Sequence, residues 1–145
     1  MFRSEDGVRK WLHAASGGEV WWFENKLGGT FGFPDAMVVH EGRAMFLELK
    51  IIEKGHLTAH PSQLNVLWGL RSAGLHAAFL CGLKGGSSLR LLGPGAVKRV
   101  SETAGFGGRQ RYECAESDGR GEFDGSSLSE ILGELSDNLF PGSFG

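Results

Sequence analysis

The fold is decided by residues 34–50, which read PDAMVVHEGRAMFLELK. Two apolar segments in this stretch, residues 36–40 and 44–51, predict two β-strands separated by a polar turn. A two-residue turn at Glu41-Gly42 is typical of short hairpin loops, because glycine accepts the backbone conformation that such turns require. The stretch is therefore predicted to form an antiparallel hairpin.

The turn also fixes which residues face each other across the hairpin. Asp35 then lies opposite Glu48, and opposed side chains leave the sheet on one face with Cβ atoms about 5 Å apart. Two carboxylates at that spacing can share Mg²⁺, whose oxygen ligands lie at about 2.1 Å. Lys50 follows Glu48 on the same face, whereas a register slip of one residue would separate the two acids. Two acids and a lysine can hold a divalent cation against a phosphodiester, which predicts a metal-dependent nuclease.

Each element of this pattern also has an ordinary structural interpretation. Pro34-Asp35 is a common way to open a turn, and Glu48 with Lys50 can form an exposed ion pair of little energetic value. The two charges lie, however, in one of the most apolar segments of the chain, where an unpaired charge is costly. The combination therefore favours a functional site over a solvated strand.

The rest of the chain predicts an αβββαβ core. A first helix is predicted after Ser4, a typical N-cap, and ends at Gly17-Gly18, while a second helix begins at Pro61 and ends at Gly74. The other predicted elements are strands over residues 19–26, 36–40, 44–51, 77–83 and 89–92, a polar loop over 58–63 and a short helix over 96–102. Alternating helices and strands of this kind indicate an α/β fold.

The charge distribution divides the chain into two parts. Residues 1–112 contain 14 Lys and Arg against 9 Asp and Glu, whereas residues 113–145 contain 1 against 8. A basic first part suits a phosphate backbone, and the acidic last part adds solubility or binds a partner. We therefore predict a nuclease-like domain over residues 1–102, a linker rich in Gly, Ser and charge over 103–127, and a C-terminal amphipathic helix with an acidic tail over 128–145.

Composition narrows the setting in which the protein works. The chain has 145 residues, enough for one domain with a core, and no apolar run approaches the length of a membrane span. The N-terminus resembles no signal peptide, so we expect an intracellular protein. Two cysteines are too few for a disulfide framework, and Cys81, in an apolar strand, is predicted to be a buried thiol.

The order of Asp35, then Glu48-Leu49-Lys50, resembles the signature of the PD-(D/E)XK nuclease superfamily. Gln63 near the start of the following helix, a small-residue stop and an apolar strand narrow the resemblance to the VRR-NUC branch, and the pattern is also similar to phage and archaeal Holliday-junction resolvases. The resemblance covers roughly residues 1–92. It implies a restriction-endonuclease-like αβββαβ core with a mixed central sheet flanked by helices, and it is compatible with a phage gene.

The resemblance also assigns roles to individual residues. It implies metal ligands at Glu5, Asp35, Glu48 and the Leu49 carbonyl, and catalytic residues at Asp35, Glu48, Lys50 and Gln63. The expected cofactor is Mg²⁺ or Mn²⁺. Two of these roles have alternatives, because Glu5 also suits the positive end of the first helix and Gln63 also suits a bond to buried backbone.

The expected activity is endonucleolytic cleavage of branched DNA by a homodimer, as the resemblance to resolvases implies. Lys26, Arg43 and Lys54 are predicted to contact the nucleic acid, with an ordinary exposed lysine as the alternative at position 26. Two other functions stay open: a sequence-dependent or single-strand nuclease of the same fold, and a non-catalytic module that binds nucleic acid or protein. No membrane partner is expected.

Overall fold

The computed structural model describes residues 1–17, 19–23, 32–40, 42–100 and 108–115, together with the backbone of the strand Glu122–Phe123. The helices within these ranges are α1 (Glu5–Ala15) and α2 (Pro61–Ser72). The strands are β1 (Val20–Trp22), β2 (Ala36–His40), β3 (Arg43–Ile52), β4 (His56–Ala59), β5 (His76–Leu83), β6 (Leu89–Leu92), β7 (Val97–Arg99), β8 (Gln110–Cys114) and β9 (Glu122–Phe123).

A mixed sheet forms the centre of the fold, with strand order β1-β2-β3-β5-β6-β9. The central pair β3 and β5 is parallel, and the other neighbours are antiparallel. Val8 and Leu12 of α1 pack on one face, and Leu67 of α2 packs on the other. The predicted α/β core, a mixed sheet flanked by helices, is confirmed.

The hairpin that decides the fold has the predicted register. His40 pairs with Arg43, and Val38 pairs with Met45. Gly42 has a φ of 77°, the left-handed conformation that the two-residue turn requires. Alternate β3 residues beginning at Met45 are buried toward α1, while the intervening residues, which include Glu48, face α2.

A second sheet, with strand order β4-β8-β7, was not predicted. The predicted polar loop over 58–63 is wrong in its first part, because residues 56–59 form β4. The predicted helix over 96–102 is also wrong, because a short 3-10 helix over 94–96 leads directly into β7. Both errors concern short strands whose partner lies far away in the chain.

The stretch that we predicted as a linker, residues 103–127, contains β8. Tyr112 and Cys114 of this strand are buried in the same cluster as Leu57 of β4 and Leu67 of α2. The second sheet is therefore packed on the α2 face of the central sheet and belongs to the same folded unit. The predicted helix over 128–145 lies outside the described residues, as do residues 24–31.

Two tryptophans are exposed at the surface. Trp68 on α2 retains 44% and Trp21 on β1 retains 51% of its accessible surface. The predicted cap also differs in detail, since Ser4 occupies the N-cap position of α1 without a side-chain hydrogen bond. Cys81 is fully buried, as predicted.

Two glycines allow helices to approach the sheet closely. A Cβ at Gly82 of β5 would lie 2.8 Å from side-chain atoms of both Phe2 and Val8. Gly32 has a φ of 89°, and a Cβ there would lie 2.9 Å from the Ser62 backbone at the start of α2. Gly82 thus positions α1, and Gly32 positions the segment that leads into β2 beside α2.

None of the described helices is long and apolar enough to cross a membrane.

Candidate active site

Asp35 is held at the start of β2 by both its backbone and its side chain. Its carbonyl accepts a hydrogen bond from the Phe23 amide at 2.8 Å, and its Oδ2 accepts one from the Leu49 amide at 2.8 Å. Phe33, two residues earlier, packs edge-on against Phe23 and Phe46 with ring centroids 5.0 and 5.9 Å apart. The carboxylate is therefore fixed at the edge of β3.

Glu48 lies on β3 next to Asp35, and only 2% of its surface is accessible. Its Oε1 accepts a hydrogen bond of 2.8 Å from Gln63 Nε2, whereas no N–H or O–H group of the described residues donates to its buried Oε2. Burying an acceptor without a donor is costly, and native proteins rarely do so without a reason. A bound cation is the kind of partner that such a carboxylate oxygen lacks.

The electrostatic surroundings of Glu48 reflect its position beside another acid. Burial, followed by the charge and hydrogen bonding of Asp35, raises the pKa of the Glu48 carboxyl to about 9, while Lys50 acts in the opposite direction. Desolvation and a nearby like charge both disfavour a second negative charge at this point. A divalent cation would reverse that balance, because it stabilises both carboxylates in the ionised form.

Gln63 bonds both to the backbone, as its structural alternative predicted, and to the Glu48 carboxylate. Its Nε2 donates to Glu48, and its Oε1 accepts a hydrogen bond of 2.9 Å from the His60 amide, which precedes α2. The side chain is therefore fixed at the helix N-terminus and orients the Glu48 carboxylate. Hydrogen bonds of this kind set the direction of metal-binding groups in many proteins.

Lys50 is buried, with 7% of its surface accessible, although it carries an ammonium group. It follows Glu48 by two residues in β3 and therefore projects from the same face. Its charge influences the pKa values of Glu5, Glu48 and His60, so these groups surround it. The structure thus brings together the acids and the base that the sequence pattern predicted.

Glu5 begins α1 at the rim of this site. It shares a small cleft with Asp35 and Leu49, and its pKa is raised by burial, with Lys50 opposing and Asp35 adding to the increase. Within the described ranges, no three His, Cys, Asp or Glu side chains converge closely enough to hold a metal ion. Glu5 therefore neighbours the acid pair, and its role as a ligand stays a prediction.

The Leu49 carbonyl faces the same edge of β3 as the Leu49 amide, because both groups of one residue in a strand point toward the same neighbour. That amide bonds to Asp35 Oδ2. Asp35, Glu48 and the Leu49 carbonyl thus offer a small set of oxygen donors. Such a set suits Mg²⁺ or Mn²⁺, since Mg²⁺ usually binds few protein carboxylates and keeps several waters.

Of the three predicted DNA contacts, Lys54 and Arg43 lie in different places. Lys54 is in the turn after β3 and lines a cleft of about 410 Å³ that also borders Glu5. Arg43 is exposed at the start of β3, five residues before Glu48, which places it about 16 Å away along the strand. The structure therefore does not bring Arg43 to the acid pair. Lys26 lies outside the described residues.

Sequence reasoning missed the basic residues of the second sheet. Arg109 and Arg111 are exposed, and Arg111 lines the same cleft as Lys54. The alternation of exposed and buried residues from Gln110 to Cys114 was visible in the sequence as Arg-Tyr-Glu-Cys, a period-two signal for a strand. The glycine-rich surroundings drew the segment into the predicted linker.

The comparisons with known proteins agree with this architecture. No family model and no curated protein sequence matches the chain. Among solved structures, the chain is similar to a Holliday junction resolvase from the hyperthermophilic archaeon Archaeoglobus fulgidus, with a TM-score of 0.55 and 16% identity. The match covers 87% of this chain and 92% of the other. The fold is therefore restriction-endonuclease-like.

Proposed function

We propose that the protein is a metal-dependent endonuclease that hydrolyses DNA phosphodiesters. The observation that carries this proposal is the pair formed by Asp35 and Glu48, in which a buried carboxylate oxygen of Glu48 receives no hydrogen bond from an N–H or O–H donor among the described residues. Lys50 lies on the same face of β3, so its positive charge would lie beside the bound metal ion. This combination suits a reaction in which water attacks a phosphate.

The residues would divide the chemistry among them. Asp35, Glu48 and the Leu49 carbonyl would hold Mg²⁺ or Mn²⁺, which when bound supplies charge stabilisation and lowers the pKa of bound water. Gln63 keeps the Glu48 carboxylate in one orientation through its hydrogen bond of 2.8 Å. Lys50 would orient the attacking water or neutralise charge that develops on the phosphate oxygens. Glu5 would complete the acidic rim.

We further propose branched DNA as the substrate and a twofold dimer as the working form. The fold likeness to a protein described as a Holliday junction resolvase supports this choice, although fold alone does not fix function. A twofold dimer would place two equivalent sites on a twofold-symmetric junction. We include in this proposal that the protein belongs to the VRR-NUC branch and acts inside the cell.

The substrate can be tested by cleavage of three labelled DNAs in Mg²⁺ or Mn²⁺. A mobile four-way junction, a linear duplex of the same arm sequence and the corresponding single strand should be compared at equal concentration. Preferential cutting of the junction at symmetric positions supports the proposal. Equal cutting of all three DNAs removes the claim for branched substrates, and sequence-dependent fragments would favour a restriction-type enzyme.

The site can be tested with Asp35→Asn, which keeps an acceptor for the Leu49 amide but removes the charge. We expect cleavage to be lost while binding of the junction in EDTA is retained. Glu19→Gln is the matched control, because Glu19 is an exposed acid outside the site. If wild-type protein binds the junction and cuts it in none of the metals, the protein is a binding module rather than a nuclease.

A further inference from the structure

The cleft beside the acid pair is lined by groups of both charges. Glu5 lines it and also lines the adjoining small cleft with Asp35. Lys54, His56 and Arg111 line it where the turn after β3 meets the second sheet. A cleft that combines acids and cations suits a ligand that carries several negative charges, one of them beside a metal.

Glu53, an acid that lines this cleft, forms an ion pair with Lys84. Its Oε1 accepts a hydrogen bond of 3.2 Å from Lys84 Nζ. Arg111 has no comparable acidic partner in the cleft lining; its Nη2 lies 3.4 Å from His56 Nδ1, which itself contacts the Lys54 carbonyl at 2.8 Å. The cations are thus gathered around one turn.

Arg111 of the second sheet lines this cleft, and Arg109 lies two residues before it. Arg111 of β8 pairs with Thr58 of β4, and both are exposed and line the cleft. Gln110 pairs with Ala59, so the next pair along the register places Arg109 beside His60. A Cβ at Gly108 would lie 3.8 Å from His60 Nδ1, which agrees with this placement. Arg109 immediately precedes β8, two residues before Arg111, so the two arginines are about 7 Å apart along the chain.

We propose that the end of the second sheet that carries Arg109 and Arg111, together with the turn at Lys54, binds the DNA phosphate backbone next to the cleaved bond. The inference rests on the proposed nuclease function and adds the surface that holds the substrate. From Glu48 to the end of β3 is four residues, or about 13 Å, which corresponds to about four base-pair steps of 3.4 Å. The turn at Lys54 follows the end of β3, whereas Arg109 lies nearer the acid pair, because the amide of the neighbouring His60 bonds to Gln63. These cations therefore contact phosphates within about five steps of the cut.

The salt dependence of binding measures phosphate contacts directly. Binding of a labelled four-way junction should be measured in EDTA from about 50 to 300 mM salt, where neither metal nor cleavage contributes. The double variant Arg109→Ala/Arg111→Ala should reduce the slope of log K against log salt by about 2, and Arg111→Ala alone by about 1. Arg111→Lys should restore the wild-type slope, because a lysine keeps the point charge.

Lys98→Ala is the matched control, because Lys98 is an exposed cation of the same sheet that lies outside the cleft. It should leave the slope within about 0.3 of wild type, far less than the change of about 1 for each phosphate contact. An equal reduction by Lys98→Ala, or no reduction by the arginine variants, overturns the proposal. Because the measurement excludes metal, a failure of Asp35→Asn to abolish cleavage would instead count against the nuclease site.

A chemically modified junction locates the contact. A neutral methylphosphonate placed within about five steps of the cut, the range that the length of β3 gives, should weaken binding by wild type. The same replacement should have no further effect on the double arginine variant, because the interaction is already lost. Additive losses would show that the arginines and those phosphates act independently, which would contradict the proposal.

Discussion

The β2–β3 hairpin and the second sheet differ in how their strands find each other. His40 and Arg43 pair across a turn of two residues, whereas Leu57 of β4 pairs with Tyr112 of β8 across 55 positions of sequence. The hairpin is buried and carries the acid pair with Lys50, while the second sheet exposes arginines on one face. Under the proposed function, the hairpin carries the catalytic residues and the second sheet binds the substrate.

The largest expected effect is that of replacing Lys50, and comparing it with the replacement of Lys54 separates chemistry from binding. Lys50→Met removes a buried charge beside Glu48 and keeps the length of the side chain. We expect a loss of about 10²- to 10³-fold in cleavage rate, or about 2.7–4 kcal/mol, because a positioned charge would be missing in the transition state. Junction binding in EDTA should change little.

Lys54→Met provides the opposite case, since Lys54 lies in the turn after β3 and lines the cleft. It should weaken junction binding and leave the cleavage rate at saturating DNA near that of wild type. Rates and affinities for both variants come from single-turnover cleavage at several protein concentrations. Identical profiles for the two lysines would break the division between chemistry and binding.

The second largest effect tests whether the second sheet belongs to the same folded unit. Leu57 of β4 is buried in the cluster that also contains Leu67 and Phe79. Leu57→Ala should lower the free energy of unfolding by about 2–5 kcal/mol, because it removes buried methyl groups and leaves a cavity. Urea denaturation followed by fluorescence and circular dichroism provides the measurement.

Thr58→Ala is the neighbouring control, as Thr58 is exposed on the other face of β4. It should change stability by less than about 0.5 kcal/mol. A single transition that moves as a whole for Leu57→Ala supports one cooperative unit. Two separate transitions would show that the second sheet unfolds alone. The hairpin and the second sheet would then belong to independent folding units.

The sequence predicted the elements whose signals are local. The hairpin register follows from Gly42 and the two apolar segments, and it placed Asp35 beside Glu48 without knowledge of the rest of the fold. Gln63 was also predicted, because its position at the start of α2 follows from Pro61. In each case the residues that decide the geometry lie within a few positions of each other.

The elements that were missed depend on partners far away in the chain. Strand β4 has only four residues and is stable because it pairs with β8 and buries Leu57. Period-two alternation over four residues cannot be distinguished from a loop without knowledge of that partner. The same reason explains why Arg109 and Arg111 were placed in a linker. Pairing across long distances is the part of a fold that propensity does not encode.

The third effect concerns how Glu48 is oriented. Gln63→Ala removes the donor to Glu48 Oε1 and the acceptor for the His60 amide. We expect the Mn²⁺ concentration for half-maximal cleavage to rise about 10- to 100-fold, which is typical when a group that orients a metal ligand is lost. Asn65→Ala is the control, because Asn65 is exposed on the same helix. Unchanged metal dependence at equal folded fraction would assign Gln63 to the helix cap alone.

The last prediction concerns a pH dependence of stability that belongs to the hairpin. The Glu48 pKa is raised from 4.5 to about 9 by burial and by Asp35. Between these values the folded protein keeps a proton that the unfolded chain releases, so stability without metal should fall as pH rises, by at most about 1.4 kcal/mol per pH unit. Glu48→Gln should remove this slope and make the metal-free protein more stable than wild type at pH 8.

Urea denaturation in EDTA at pH 5, 6, 7 and 8 measures the slope, and Glu113→Gln serves as the control, because Glu113 is an exposed acid of β8. Mn²⁺ should stabilise wild type increasingly as pH rises, since a metal binds the deprotonated carboxylate and displaces the proton. Glu48→Gln should lose this metal effect. If wild type and Glu48→Gln changed in parallel with pH, the acid pair would not be the coupled group, and the buried oxygen of Glu48 would need an explanation other than a bound cation.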